Sequence, residues 1–301
     1  MSIPFIGSKK SIAKYIIDII PPAENYYDLF GGGAAISEVA LQAGKWSQVH
    51  YNEINTEIVN VIRWLSHDYD TAVQEITKLY LTPIDRQDFF RIKNKQERTP
   101  IDTLALIVYS FGNDRSTYLW CKEKEAYKIP IVKQLAADII KNGVRFPDFK
   151  KYRINWLKEN KIYRESNRIG TEIESLQSLS SLENLQRLER LQALERMESL
   201  ERQHTLNITN LDYRDVEIKP DSIVYCDIPY YNAANKYGND FNHDYFYNWV
   251  RNAEFPVYYS GYDTDAGGFD RVWEKEHTCK LAKKGGKELR RVECLYKGGR
   301  Q

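Results

Sequence analysis

The sequence predicts an α/β fold in which an open, mainly parallel sheet carries a mainly helical insertion. A strand, a glycine turn and a helix follow one another near the amino terminus, and a second strand there ends in an acidic residue. Late in the chain, a buried strand ends in Asp-Ile-Pro-Tyr. Strands and helices that alternate on both sides of a helical stretch favour a parallel sheet covered by helices.

The first of these elements is a strand, turn and helix in succession. Residues 26–30 are typical of a strand, residues 31–33 are three glycines, and a helix-compatible stretch runs from Ser37 to Gly44. Glycine lets the backbone approach a ligand where a side chain would clash. The spacing is not G-x-G-x-x-G and no Lys-Ser/Thr pair follows, so a pyrophosphate-binding loop is not indicated.

The second element is a strand predicted over residues 49–55. It carries Glu53 near its end, about twenty residues after the glycines, where a carboxylate is placed to accept hydrogen bonds from ribose hydroxyls. Strand-end acids and glycine turns are also common structural features, so neither signal is specific when taken alone.

Residues 61–204 separate these elements from the rest of the sheet and form the predicted insertion. Apolar residues at helical spacing predict helices over residues 58–65, 69–80 and 103–109. Residues 110–115, Ser-Phe-Gly-Asn-Asp-Arg, are typical of a loop.

Polar and basic side chains in the insertion are candidates for nucleic-acid contacts. Asn113 and Arg115 have the side chains used for bidentate contacts with bases or phosphates, although they also fit as ordinary turn residues. The basic-aromatic stretch 141–168 is of the kind that supplies phosphate contacts, with a solvated helical surface as the alternative. Its candidate DNA-binding residues are Lys150, Lys151 and Arg153.

Leucine or methionine recurs at every third position over residues 176–200. A coiled coil needs a period near 3.5, whereas a period of three winds the apolar line around a helix. The residue types favour helix strongly. The segment is therefore either a long helix covered by different neighbours, including a second subunit through self-association, or a partly disordered connector.

The most informative segment follows the apolar run 222–226, which predicts a buried strand. Open α/β sheets place their chemistry just beyond the carboxyl ends of such strands. Asp227 offers acceptor oxygens, Ile228 a backbone carbonyl and Tyr230 a ring face, while Pro229 holds the preceding residue extended. Two acceptors beside a stacking platform suit the exocyclic amine of a nucleobase, whose nitrogen could then attack an electrophilic methyl group without a metal or a histidine. A strand that simply ends in a proline turn is the alternative.

The remaining segments complete the predicted sheet. Strands are expected over residues 205–212, 255–260 and 288–296, and a helix over residues 244–252. A further motif, Phe-Ile-Gly-Ser-Lys, occupies residues 5–9.

Four of these motifs, in this order, resemble the alpha-class, Dam-type adenine-specific DNA methyltransferases. That family has an aromatic-x-G-x-K segment, a D/E-x-F-x-G-x-G loop, an acidic strand end and a D-P-P-Y loop. They correspond here to residues 5–9, 28–33, 52–55 and 227–230. The resemblance covers both ends of the chain well and the middle poorly.

The resemblance implies a Rossmann-like sheet that binds S-adenosylmethionine as methyl donor. Residues 1–60 and 205–301 would form the catalytic domain and residues 61–204 a helical target-recognition insertion. The implied cofactor-binding residues are Phe5, Lys9, Asp28, Phe30, Gly31, Gly33, Glu53 and Asp227. The implied catalytic residues are Asp227, Ile228, Pro229 and Tyr230. The target adenine would be flipped out of double-stranded DNA and stacked on Tyr230. A cognate restriction endonuclease is a further implied partner.

The chain departs from the family pattern at Ile228, which replaces the first proline of the loop. A fixed backbone torsion is lost, while the carbonyl that accepts an amine hydrogen is kept. A β-branched residue before proline is itself biased to extended geometry, so we expect a competent loop.

Composition is compatible with this interpretation. The chain has 301 residues, 42% of them hydrophobic, enough for two domains or for one domain with a large insertion. Because no apolar stretch approaches ~20 residues and the start is interrupted by lysines, we expect a cytoplasmic protein without a membrane segment. The four cysteines form no C-x-x-C pair, which argues against structural zinc and a disulfide framework. The net charge of +1 gives no global nucleic-acid signature.

Two other functions stay open from the sequence. The same loop serves methylation of the cytosine exocyclic amine. Alternatively, Ile228 marks decay of the site, and the chain is a catalytically silent DNA-binding or assembly protein that associates through the leucine triplets.

Overall fold

The computed structural model describes two compact units. The sheet unit comprises Ser8–Val59 and Leu200–Gln301, and the helical unit comprises Met1–Gly7 and Asn60–Ser199. The residues described are 2–5, 7–160, 183–189, 206–230, 241–264, 267–284 and 287–300, with side chains left out for residues 183, 184, 189 and 277–291.

Within the described residues, seven strands form one sheet. They are β1 (Ala23–Asp28), β2 (Trp46–Asn52), β3 (Leu206–Thr209), β4 (Ser222–Cys226), β5 (Val257–Tyr262), β6 (Asp270–Lys284) and β7 (Lys287–Gly298). The strand order is β3-β2-β1-β4-β5-β7-β6. Strands β1 to β5 pair in parallel, whereas β7 runs antiparallel to both β5 and β6. The predicted α/β, Rossmann-like sheet is confirmed.

The described helices are divided between the sheet unit and the helical unit. In chain order they are α1 (Ala13–Ile19), α2 (Ala35–Ala43), α3 (Thr56–His67), α4 (Tyr69–Leu81), α5 (Arg86–Lys93), α6 (Pro100–Val108), α7 (Lys122–Lys141), α8 (Phe149–Glu159), α9 (Glu183–Glu189) and α10 (His243–Asn252). Among the described residues, no helix is both long and apolar enough to span a membrane.

Strand β4 lies at the centre of the sheet and is buried along its whole length. A parallel strand that is covered on both faces needs apolar residues at successive positions, which explains the continuous run 222–226. Its core neighbours include Tyr27, Phe246 and Tyr259. Strand β4 therefore anchors the loop that begins at Asp227.

Helix α6 begins three residues before the predicted start at residue 103. Thr99 and Asp102 form a capping box, in which each side chain accepts a hydrogen bond from the other's backbone N–H. Pro100 occupies the first turn, where its missing N–H is not needed. The start of α6 is therefore indicated by its capping residues and not by the spacing of its apolar residues.

Helix α9 is the described part of the leucine-triplet segment. Leu185 and Leu188 are both 0% exposed, and the helix packs against α4, α6 and α8. Arg187 Nη1 donates to the carbonyl oxygens of Val108, at 2.5 Å, and Ser110, at 2.9 Å. The rest of residues 176–200 lies outside the described residues, so the choice between a long helix and a connector stays open there.

Shortening Leu185 tests this packing. We expect Leu185→Ala to lower the free energy of unfolding by about 2–5 kcal/mol, because it leaves a cavity among three helices. Urea unfolding followed by circular dichroism measures the change. The matched control is Ile140→Ala on α7, which removes a side chain that is 62% exposed. Equal effects of the two substitutions would contradict the burial of Leu185.

Candidate active site

The predicted site residues of the sheet unit meet where three strands end. Asp28, the last residue of β1, pairs with Tyr51 of β2 and with Tyr225 of β4, so these strands end at the same level. Strand β2 ends three residues earlier than predicted, which places Glu53 immediately after it. Asp28, Glu53 and Asp227 therefore stand together at the carboxyl edge of the sheet.

The glycine turn is fastened to the end of β2. The N–H of Gly31 donates to the Asn52 carbonyl at 2.8 Å, and the Tyr51 hydroxyl donates to the Gly32 carbonyl at 2.7 Å. A Cβ atom on Gly31 would lie 2.2 Å from the Tyr51 ring. Glycine is thus required at residue 31 by the packing of a buried tyrosine, in addition to any approach of a ligand.

Glu53 already holds two backbone groups. Its Oε2 accepts from the N–H of Gly32 at 3.0 Å, and its Oε1 accepts from the N–H of Asn55 at 2.8 Å. These bonds fix the carboxylate beside the glycine turn. The predicted contact with ribose hydroxyls stays a prediction that this placement permits.

Asp28 is a buried carboxyl group, and one of its two oxygens accepts a hydrogen bond. Ser37 Oγ donates to its Oδ2 at 2.6 Å, whereas Oδ1 is buried and accepts no hydrogen bond from the described residues. Burial raises the pKa of Asp28 to about 7, and the negative charges of Asp227 and Glu53 add to the rise. Buried acceptors usually have a hydrogen-bond partner. A bound ligand that donates a hydrogen bond would be such a partner for Oδ1.

This pKa predicts a pH dependence of stability. Between an unfolded pKa near 3.8 and the folded value of about 7, the folded state holds a proton that the unfolded state has lost. The contribution of Asp28 to the free energy of unfolding therefore falls as the pH rises through this window, by about 1.4 kcal/mol per unit of pKa shift. Asp28→Asn should make the cofactor-free protein more stable than the wild type at pH 8, with the difference shrinking towards pH 4.

Urea unfolding at several pH values measures this effect. The control is Asp215→Asn, which neutralises an exposed carboxylate of the same unit. Parallel pH profiles for the wild type and Asp28→Asn would contradict the raised pKa of Asp28.

A compact set of charges surrounds the loop that begins at Asp227. Lys9 Nζ lies 2.8 Å from Asp227 Oδ1, 3.7 Å from Glu293 Oε1 and 4.6 Å from the centre of the Tyr230 ring. Burial raises the pKa of Asp227, and Lys9 partly offsets this effect. The structure therefore brings together the predicted residues Lys9, Asp227 and Tyr230, and adds Glu293.

Tyr230 is held from two sides. Its hydroxyl donates a hydrogen bond to Glu293 Oε1, and its ring meets the Tyr262 ring edge-to-face, with centroids 4.5 Å apart. Burial raises its pKa well above the ordinary value, so the hydroxyl keeps its proton. The ring is thus fixed in position and tilt.

The other two residues of the loop are anchored in the sheet unit. Ile228 is 2% exposed and packs in the core with Phe246 and Tyr259, so an apolar contact stands where the family has a proline. His243, at the start of α10, contacts the carbonyl of Pro229 through Nε2 at 2.7 Å. Sequence reasoning missed His243, since no local pattern links it to a loop fourteen residues earlier.

The aromatic candidates lie in different units. Phe30 packs against Tyr213, with centroids 5.1 Å apart, and against Phe241 at 5.8 Å. Phe5 belongs to the segment Met1–Gly7 of the helical unit, and its cofactor role stays a prediction. Asp212 accepts from the N–H of Arg214 and caps a short turn.

The loop with Asn113 and Arg115 has a constrained backbone. Ser110 forms a β-bridge with Tyr118, and Asn113 and Arg115 both have φ near +61°, a region that residues other than glycine seldom adopt. Phe111 is 59% exposed at this loop. Such strain is often stored at functional sites.

The basic candidates of α8 face in different directions. Lys150 and Lys151 are exposed, whereas Arg153 is only 3% exposed. Arg153 shares the buried face of α8 with Phe149 and Trp156, at helical spacing. The structure therefore argues against a surface contact by Arg153. The count of basic residues in the sequence did not show that Arg153 is buried while Lys150 and Lys151 are exposed.

The structure thus presents a glycine turn, a strand-end acid and an Asp-Ile-Pro-Tyr loop at one edge of a Rossmann-like sheet, as expected from the resemblance to the DNA methyltransferases. The family description D12 class N6 adenine-specific DNA methyltransferase matches residues 5–263. The chain belongs to this family and is a DNA methyltransferase that acts on N6 of adenine. The resemblance inferred from the motifs is confirmed, with adenine rather than cytosine as the base. A search of curated proteins finds no match.

Proposed function

We propose that this enzyme transfers the methyl group of S-adenosylmethionine to an adenine that is flipped out of double-stranded DNA into the edge formed by β1, β2 and β4. The observation that carries the proposal is the position of Asp227. It comes directly after β4, at the same edge of the sheet as the glycine turn and Glu53. The register supports this placement, because Asp28 pairs with Tyr51 and with Tyr225, which lie two residues before Glu53 and Asp227.

The residues at this edge fit S-adenosylmethionine. When bound, this cofactor supplies an electrophilic methyl group on a positively charged sulfur. Asp28 offers a buried oxygen without a hydrogen-bond partner among the described residues, and Glu53 lies beside the glycine turn. With Asp227 these acids outnumber Lys9, so the ionised edge is negative and complements a cation.

Asp227 would act on the amine of the flipped adenine. Lys9 engages Oδ1, which leaves Oδ2 to accept one amine hydrogen, and the Ile228 carbonyl would accept the other. As the bond from nitrogen to the methyl carbon forms and the bond from carbon to sulfur breaks, positive charge develops on the nitrogen. The carboxylate of Asp227 stabilises that charge, and its raised pKa favours acceptance of the proton that the nitrogen then loses.

Tyr230 would hold the flipped base by stacking. Its ring has Lys9 Nζ over one face, 4.6 Å from the centroid, and its tilt is set by Tyr262. An adenine therefore stacks on the opposite face or displaces the ammonium group. In either case the ring is already fixed before the base arrives, which lowers the entropy lost on binding.

The helical unit would recognise the target sequence. Asn113 and Arg115 stand in a constrained loop with an exposed Phe111, and Lys150 and Lys151 are available for phosphate contacts. A cognate restriction endonuclease, self-association through residues 176–200 and a cytoplasmic location stay predictions from the sequence.

Analysis of the product tests the proposal. The purified enzyme is incubated with methyl-labelled S-adenosylmethionine and duplex DNA, and the DNA is digested to nucleosides. We expect the label in N6-methyladenine, and we expect saturating cofactor at 100 times its Kd to add about 2.7 kcal/mol of stability. Label in N4-methylcytosine, or no stabilisation by the cofactor, would contradict the proposal.

A further inference from the structure

Glu293 is a buried acid that lies outside residues 5–263, the part of the chain matched to the family. It belongs to β7, the antiparallel strand near the end of the chain, and is 8% exposed. It pairs in register with Tyr262 of β5. The pairing of β5 with β7 thus brings both side chains that hold Tyr230 to the same place.

The carboxylate of Glu293 contacts two site residues. Its Oε1 accepts the hydrogen bond of the Tyr230 hydroxyl and lies 3.7 Å from Lys9 Nζ. Hydrogen bonds from a hydroxyl to an ionised carboxylate are roughly twice as strong as those between neutral groups. Burying a carboxylate is unfavourable unless such partners compensate, so the placement of Glu293 depends on Tyr230 and Lys9.

We infer that Glu293 is a positioning residue for methyl transfer, which orients the Tyr230 ring for the flipped base and shares Lys9 with Asp227. The hydrogen bond fixes the far end of the ring, while the edge of Tyr262 fixes its tilt. Attraction to Glu293 draws the ammonium group towards β7, so that Lys9 occupies one oxygen of Asp227 and leaves the other for the amine. This inference rests on the proposed function.

Two single variants and their combination test the inference. Glu293→Gln keeps the shape of the side chain and removes its charge, and Tyr230→Phe removes the other partner of the same hydrogen bond. We expect each to lower kcat/KM for methyl transfer by about 10- to 100-fold, in the range caused by misplaced groups. Because both substitutions weaken the same hydrogen bond, their losses should not add in full, and the double variant should lose less activity than the product of the two single losses.

A readout of base position separates positioning from a merely structural role. With 2-aminopurine at the target adenine, fluorescence reports the flipped base. We expect Glu293→Gln to weaken this signal while the Kd for S-adenosylmethionine and the thermal midpoint stay close to the wild type. The matched control is Glu274→Gln on β6, whose side chain is 57% exposed, and it should behave like the wild type.

The outcomes distinguish this inference from the proposed function. If Asp227→Asn lowers methylation by about 10²- to 10³-fold while Glu293→Gln and Tyr230→Phe both methylate at the wild-type rate, the inference alone is wrong. Additive losses in the double variant would also overturn it, since the two residues would then act separately. If Asp227→Asn methylates like the wild type, the proposed function itself fails. If Glu293→Gln does not fold, the fluorescence signal of Tyr230→Phe tests the inference instead. A signal equal to that of the wild type would then overturn it.

Discussion

Replacing Asp227 with asparagine is expected to lower the rate of the methyl-transfer step by about 10²- to 10³-fold, the range measured when one preorganised electrostatic group is removed from an active site. The amide has nearly the same shape as the carboxylate but lacks its charge. It can no longer stabilise positive charge on the amine or accept its proton, and Lys9 loses an ion pair of 2.8 Å.

Single-turnover kinetics with saturating enzyme measure this step without the influence of product release. The control is Asp263→Asn, which neutralises an exposed acid just beyond β5. Cofactor affinity of Asp227→Asn is measured in parallel, so that a loss of binding is not mistaken for a loss of chemistry. A rate equal to that of the wild type would remove Asp227 from the mechanism.

Gly31→Ala is expected to destabilise the sheet unit by about 1–3 kcal/mol and to impair cofactor binding, because the added methyl group overpacks a buried site. The new Cβ would lie 2.2 Å from the ring of Tyr51, which is 0% exposed. The ring cannot move without breaking the bond from its hydroxyl to the Gly32 carbonyl. Either the glycine turn or β2 has to shift.

Urea unfolding and calorimetric titration with S-adenosylmethionine measure the two effects. The same substitution is also made in a Tyr51→Val background, where no ring atoms stand near residue 31. There Gly31→Ala should cost much less stability than in the wild type. An equal cost in both backgrounds would show that the clash with Tyr51 is not the cause.

Local patterns were sufficient to predict the central elements of the fold. Strand β4 was expected over residues 222–226 and is found there, because a strand covered on both faces needs an uninterrupted apolar run. Helix α4 was expected over residues 69–80 and ends one residue later, since its apolar spacing is regular. Strand β2 was placed three residues too late, because its start at Trp46 follows a helix end at Gly44 that the strand pattern alone does not reveal.

Contacts between distant parts of the chain could not be predicted in this way. Glu293 reaches Tyr230 only through the register of β5 and β7, which no local pattern specifies. Strand β6 was not predicted, since this edge strand is rich in charged residues and lacks the apolar run of a central strand. The direction of Arg153 depends on which face of α8 is buried, which requires the packed unit.

The most direct test of the whole account is a crystal structure of the Asp227→Asn enzyme with S-adenosylhomocysteine and duplex DNA that contains the target adenine. We expect the sulfur atom beside residues 31–33, the adenine stacked on Tyr230, and its N6 within hydrogen-bonding distance of residue 227 and the Ile228 carbonyl. An adenine bound elsewhere, with residue 227 directed away from both N6 and the sulfur, would contradict the mechanism.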